Sequence, residues 1–155
     1  AVLDELFARA DAHVLVATYA IHKGRQSLGS LAARMRERPS LVVDLYTDLK
    51  GHDETDAAAE WLARFRREHW PGDVRLPSIW YAPATVDRAA HTSLHAKCVV
   101  IDARWALVTS ANFTGAAQER NFEAGVLLDH RALARTLVGQ FQGLRDRGMF
   151  REMPG

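Results

Sequence analysis

The stretch HAKCVVIDARWALVTSANFTGAAQERNFE, from His95 to Glu123, decides how this chain is read. Two β-branched, apolar runs, VVID and ALVTSA, flank Asp102, Ala103, Arg104 and Trp105, the pattern of two antiparallel strands joined by a short hairpin turn. If Ile101 faces Ala106, His95 lies opposite Asn112 and Lys97 opposite Ser110. Side chains alternate faces along a strand, so His95, Lys97 and Val99 share one face while Cys98 and Val100 point into the opposite layer. Directly opposed residues have Cβ atoms about 4.5 to 5.5 Å apart. One patch of sheet is therefore expected to carry an imidazole, an ammonium, a hydroxyl and a carboxamide, a constellation the size of a phosphate.

On either side of this hairpin the chain alternates between strand and helix patterns. Val2, Leu3, Leu6, Phe7 and Ala10 have helical spacing in an amphipathic first helix, and His13 to Ile21 is a buried strand. Gly24 and Ser27 mark a loop and the start of a helix through SLAARMRER that Pro39 stops. LVVDLYTDL is a second buried strand. TDAAAEWLARFRREHW is an amphipathic helix ended by Pro71 and Gly72, and VRLPSIWYAP is a third strand interrupted by Pro77. After the hairpin come a last strand, NFEAGVLLD, and a closing helix, HRALARTLVGQFQGLRDRGMF. Strand, helix, strand, helix, strand implies right-handed crossovers and parallel pairing, and the hairpin adds antiparallel strands. The expected class is α/β, a mixed β-sheet flanked by helices on both faces. Ligands gather beyond the carboxyl ends of parallel strands in such sheets, which here means His22, Lys23 and Arg25 after the first strand and Lys50 and His52 after the second.

With those positions placed, the hairpin resembles the phospholipase D superfamily signature H-x-K-x4-D-x6-G-S-x-N. His95, Lys97, Asp102, Ser110 and Asn112 fall at its spacing, and Glu123 stands where members carry a supporting carboxylate. Thr109 departs from the pattern, since the family usually has Gly there. The resemblance extends over most of the chain, because a phospholipase D-like half also begins with a helix and a strand ending in a Tyr-containing stretch, as VLVATYAI does. More narrowly, LHAKCVVID followed by LVTSANFT and AAQERN is similar to the phospholipase D-like component of DISARM-type bacterial anti-phage systems.

The resemblance implies a phospholipase D-like fold and roles for each residue. His95 would attack phosphorus to give a phosphohistidine, and a second group would protonate the leaving oxygen. Lys97 would carry positive charge to the non-bridging oxygens, and Ser110 and Asn112 would donate hydrogen bonds to charge developing in the transition state. Glu123 would accept from the far ring nitrogen of His95 and fix its tautomer. Asp102 lies on the other strand parity from His95, beside the turn, where holding the hairpin is as good an account as chemistry. His22, Lys23, His52 and Trp105 are the candidate substrate contacts, Trp105 by stacking on a base, with packing at the edge an equal account of it. His91 and His95 find no convincing third and fourth ligand near Cys98, so neither a metal nor any other cofactor is expected.

Composition narrows the function. With 155 residues, 48% apolar and 25% charged, the chain is sized for one domain, 1–155, carrying one signature; it starts without Met and is either a trimmed chain or part of a longer one. A net charge of +1 argues against coating long tracts of duplex, though not against a nuclease with a local phosphate site. No apolar run approaches the roughly 20 residues that span a bilayer, and no secretory leader is visible. A single cysteine, Cys98, fits a buried small hydrophobe in a reducing cytoplasm. One signature per chain, where the chemistry calls for two histidines, implies a homodimer with both His95 side chains facing across a two-fold axis. The expectation is thus a metal-independent phosphodiesterase acting on nucleic acid, DNA first, with anti-phage defence proteins as further partners. The alternatives are a phospholipase or phosphatidyl transferase, which predicts membrane association, and a non-catalytic nucleic-acid-binding module of a defence complex.

Overall fold

A computed structural model describes residues 2–49, 56–86, 89, 91–113 and 122–154. Its centre is a seven-stranded sheet. The strands are β1 (His13–Thr18), β2 (Val42–Thr47), β3 (Ser78–Tyr81), β4 (Cys98–Ile101), β5 (Trp105–Thr109), β6 (Gly125–Asp129) and β7 (Arg151–Glu152). They lie in the order β6-β5-β4-β1-β2-β3-β7. β1, β2 and β3 run parallel; β4, β5 and β6 form an antiparallel run joined to β1, and β7 pairs antiparallel with β3. The sheet is mixed, as the alternation of elements implies.

Strand parity sorts the core into two layers. Val14, Val16, Val43, Leu45, Val99 and Ile101 pack on one face. That face is covered by α1 (Val2–Ala8), α3 (Gly29–Glu37) and α4 (Ala57–Arg64), through Leu6, Phe7, Leu31, Met35 and Leu62. Leu15, Ala17, Tyr46, Cys98, Val100 and Ala106 pack on the other, under Ala134 and Phe141 of α5 (Arg131–Asp146). A four-residue helix, α2 (Gly24–Ser27), precedes α3, and a π-helical turn, Phe65–His69, extends α4. Cys98 and Val100 do point into the layer opposite Val99, as their parity requires.

The hairpin register differs by one residue from the pairing of Ile101 with Ala106. Ile101 faces Trp105, and Val100 faces Ala106. Asp102 and Ala103 are both left-handed, with φ of 51° and 47°, and Arg104 N–H closes the turn on Ile101 O at 2.9 Å. This is the primed twist that hairpins favour, built here without glycine. Trp105, expected within the turn, is instead the first residue of β5, and that one-residue shortening of the connection shifts the ladder. Lys97 consequently pairs with Thr109, whose N–H donates to Lys97 O at 3.1 Å.

β7 has no counterpart in the sequence reading. Two residues are too few to show a period, and pairing with β3 alone identifies them.

Candidate active site

Because β4 is antiparallel to β1, its first residues lie at the carboxyl end of the parallel strands. His95 and Lys97 precede β4 there. The Lys97 Nζ donates to His95 O at 2.9 Å and stands 3.3 Å from His95 Nδ1. Lys97 is buried and His95 exposed, so the lysine is braced by its surroundings while the imidazole faces outward. The Tyr19 ring, just past β1, lies beside it with centroids 5.4 Å apart. Asp48, just past β2 and buried, accepts from Leu94 N–H at 2.6 Å and so ties the segment leading into His95 to the end of β2.

Ser110 and Glu123 meet beyond the ends of β5 and β6. Ser110 Oγ donates to Glu123 Oε2, and Ala124 N–H donates to Ser110 Oγ at 3.1 Å. Both residues are exposed. The structure therefore links Glu123 to the signature through Ser110. Asn112 comes in beside the β1 extension: Ile21 bridges to Phe113, and His22 N–H donates to Phe113 O at 2.9 Å. Asn112 Oδ1 is buried and has no hydrogen-bond partner among the described residues.

Thr109, the departure from the usual glycine, fits because its ladder partner is Gly125. A Cβ there would meet Thr109 Cβ and Oγ1 at 3.1 Å. The bulk absent from Gly125 is present at Thr109.

Two sequence-based assignments are not brought to this end of the sheet. Asp102 sits at the far end of β4, where its carboxylate accepts from the backbone N–H groups of Asp11 at 2.9 Å, Ala12 at 2.8 Å and His13 at 2.8 Å. Burial pushes its pKa up, but the three donors outweigh this and hold the carboxyl below its ordinary range. It clamps the start of β1 and does not face the His95 patch. Trp105 lies at the same far end, between the guanidinium groups of Arg9 and Arg104 at 4.8 and 5.0 Å, and its ring is engaged there. His22 lies beside Phe113 through its backbone bond, and Lys23 follows it at the start of α2 with a left-handed φ of 54°; both are exposed. His52, Lys50 and the AAQERN segment lie outside the described residues.

Sequence reasoning gave no role at the site to Tyr19 or Asp48. The available signal was their position immediately after buried parallel strands, where loops carry ligand-binding groups.

A mixed sheet of this order, with a histidine and lysine two residues apart at the carboxyl ends of its parallel strands, has the architecture of phospholipase D-like domains. The chain belongs to the family described as cardiolipin synthase, PLD-like domain, whose model matches residues 3–145. Among solved structures, it is similar to Nuc of Salmonella typhimurium, a phospholipase D family member, at 16% identity and TM-score 0.68, covering 99% of this chain and 90% of that one. NucT from Helicobacter pylori is similar at 14% identity and TM-score 0.69, with 94% and 86% covered. Phosphatidylserine synthase of Haemophilus influenzae gives 19% identity and TM-score 0.69, with 88% of this chain covered but 32% of that one. No curated protein matches the chain.

Proposed function

We propose that this chain is a metal-independent phosphodiesterase that hydrolyses nucleic acid, DNA in particular, through a phosphohistidine on His95. The observation that carries this reading is an exposed imidazole with the buried Lys97 ammonium 3.3 Å from its Nδ1, at the ligand-gathering end of the sheet. In the first step a ring nitrogen of His95 bonds to phosphorus, the bond to the leaving oxygen breaks, and an imidazolium donates its proton to that oxygen. In the second, water attacks phosphorus, the P–N bond breaks, and the now neutral second imidazole takes the water's proton. Lys97 balances charge on the non-bridging oxygens and Asn112 donates to them, while Ser110 is positioned by its bond to Glu123.

The second imidazole comes from a second copy of the chain. One such fold fills 90% of Nuc and 86% of NucT, the proportion of one unit per chain, whereas it fills 32% of the phosphatidylserine synthase. The edge strand β6 also exposes Val126, Leu127 and Leu128, with Phe122 beside it and Val108 on β5, next to the Ser110–Glu123 pair. An isologous contact through that apolar edge would cover it and bring two sites together. Action within a bacterial anti-phage defence system, with that system's proteins as partners, is the proposed setting; its support is the likeness of the HAK and TSANFT segments.

Purified chain should cleave labelled DNA in the presence of excess chelator, and His95→Asn should not. Cleavage of phosphatidylcholine vesicles but not of DNA or RNA would replace this reading with the phospholipase or phosphatidyl transferase. Among the described residues no helix is long and apolar enough to cross a membrane. Binding of DNA without cleavage by a verified dimer would leave a nucleic-acid-binding module. If wild-type and His95→Ala chains are refolded together in equal amounts, about one quarter of dimers are wholly wild type, so activity should fall to about a quarter with a shared centre and about a half with independent ones.

A further inference from the structure

A cavity of about 260 Å³ opens at the carboxyl ends of β1 and β2, one ring away from His95. Tyr19 belongs both to its wall and to the ring contact with His95. Trp61 and Phe65 also line it, stacked on each other with centroids 5.0 Å apart and planes 11° from parallel. Thr47 and Asp48 contribute from the end of β2, and both are buried. The Thr47 hydroxyl has no hydrogen-bond partner among the described residues. A buried hydroxyl with nothing to bond is a rarity that a ligand would explain. His69 and Arg64, the latter paired with Glu68 at 3.1 Å, complete the polar part of the lining.

The wall is built with some care for this shape. Phe65 and His69 are the first and last residues of the π-helical turn, a widened turn that recurs at functional sites. His69 Nδ1 accepts from Gly24 N–H at 3.2 Å, which leaves Nε2 as the protonated nitrogen of the neutral ring. Burial lowers the His69 pKa and keeps that ring neutral. Gly24 is obligatory here, because a Cβ would lie 2.5 Å from His69 Cβ.

We infer that this cavity holds the base of the nucleotide next to the scissile phosphate, so that the preferred substrate presents an unstacked, single-stranded base. The inference rests on His95 being the reacting group. Aromatic walls and hydrogen-bonding groups of both kinds suit a planar heterocycle. A quaternary ammonium headgroup would use the same aromatic rings but has no hydrogen-bonding group to offer Thr47 or His69. Because Asp48 also holds Leu94, a base seated against Asp48 is coupled to the segment that carries His95.

The test separates this inference from the hydrolytic reading by measuring binding as well as turnover. The intact chain is titrated with deoxynucleoside 5′-monophosphates, 2-deoxyribose 5-phosphate, inorganic phosphate and phosphocholine. A base in the cavity should make the mononucleotides bind roughly 5- to 150-fold tighter than the sugar phosphate, the range of one base–aromatic contact. Trp61→Leu should reduce that preference several-fold. Thr47→Val, which removes an unpartnered hydroxyl and keeps the shape, should also reduce it while the chain stays folded. In turnover, the ratio of kcat/KM for single-stranded DNA over bis(p-nitrophenyl) phosphate should fall in the same two variants, and wild type should prefer the single strand to its duplex. Equal affinity for mononucleotides and sugar phosphate, tighter phosphocholine binding, or unchanged ratios in both variants would overturn the inference. A retained mononucleotide preference with no hydrolysis of any diester would support the cavity's role and refute the enzymatic reading.

Discussion

Asp102 belongs to the signature by spacing but holds backbone by geometry, and replacing it distinguishes the two roles. In Asp102→Asn the charge is lost and one acceptor oxygen remains for three donors, Asp11, Ala12 and His13 N–H. Asparagine tolerates the left-handed φ of 51° about as well as aspartate, so the turn itself should survive. Hydrogen bonds to a charged group contribute about 1.5 to 3 kcal/mol each. Asp11 and Ala12 are exposed, so water can replace the carboxylate at their N–H groups, while the bond to His13 is partly buried. The expected loss is therefore about 1 to 2 kcal/mol for Asn, and about 2 to 4 kcal/mol for Ala, which adds the strain of a left-handed alanine. Since the folded carboxyl has a pKa below its ordinary value, its contribution is complete above the unfolded pKa and disappears as pH falls through the folded one. The gap between wild type and Asn should be full at neutral pH and narrow below about pH 4. Urea unfolding across pH gives the stability, and turnover per folded molecule gives the chemistry. Unchanged stability together with a hundredfold loss of turnover would return Asp102 to the reaction.

Other consequences follow from packing and burial. Gly125→Ala should destabilise the chain by about 1 to 3 kcal/mol, because its Cβ meets Thr109 at 3.1 Å, and Thr109→Gly in the same chain should restore most of the melting temperature. Burial pushes the Cys98 thiol up to about 11, so it should resist iodoacetamide at pH 8 in the native chain and react once denatured. Asp44 is buried and accepts from Trp80 Nε1 at 2.8 Å, with His13 Nε2 also 2.8 Å away and Arg145 at 3.4 Å. Asp44→Ala should therefore cost about 3 to 5 kcal/mol in urea unfolding. Burial raises the Asp44 pKa but its hydrogen bonds lower it further, so this contribution too is full at neutral pH and fades as acid titrates the folded carboxyl.

What could be read directly was local and periodic. The β-branched runs of β1, β2 and β4 specify buried strands, and alternation within VVI assigns Cys98 and Val100 to one layer and Val99 to the other. The turn was harder. A glycine or asparagine at positive φ would have marked its centre, but Asp102 and Ala103 adopt that conformation without the usual signal, so the three-residue connection and the one-residue shift were hidden. For Asp102 the sequence leaves holding the hairpin and chemistry as equal accounts, because spacing along a strand gives parity and distance but not which chain end arrives opposite. The pairing of Val14 with Ile101 and the bonds from Asp11, Ala12 and His13 N–H to Asp102 show that the start of β1 meets this turn.

That shift also changes what kind of object the site is. With Lys97 opposite Ser110, the reactive groups would form a flat patch on two neighbouring strands. With Lys97 opposite Thr109, β5 ends at the patch, and Ser110 turns to Glu123 beyond β6. The groups around His95 then come from the extensions of β1 and β2 as well: Tyr19 beside the ring, His22 beside Phe113, and Asp48 holding Leu94. Such a site depends on β4 being inserted between β5 and β1, a non-local pairing that no run of residues announces. The signature can therefore be complete in sequence while its geometry rests on residues outside it, and the effect of Asp48→Asn on the His95 segment is a more demanding check on the site than any further change within the motif.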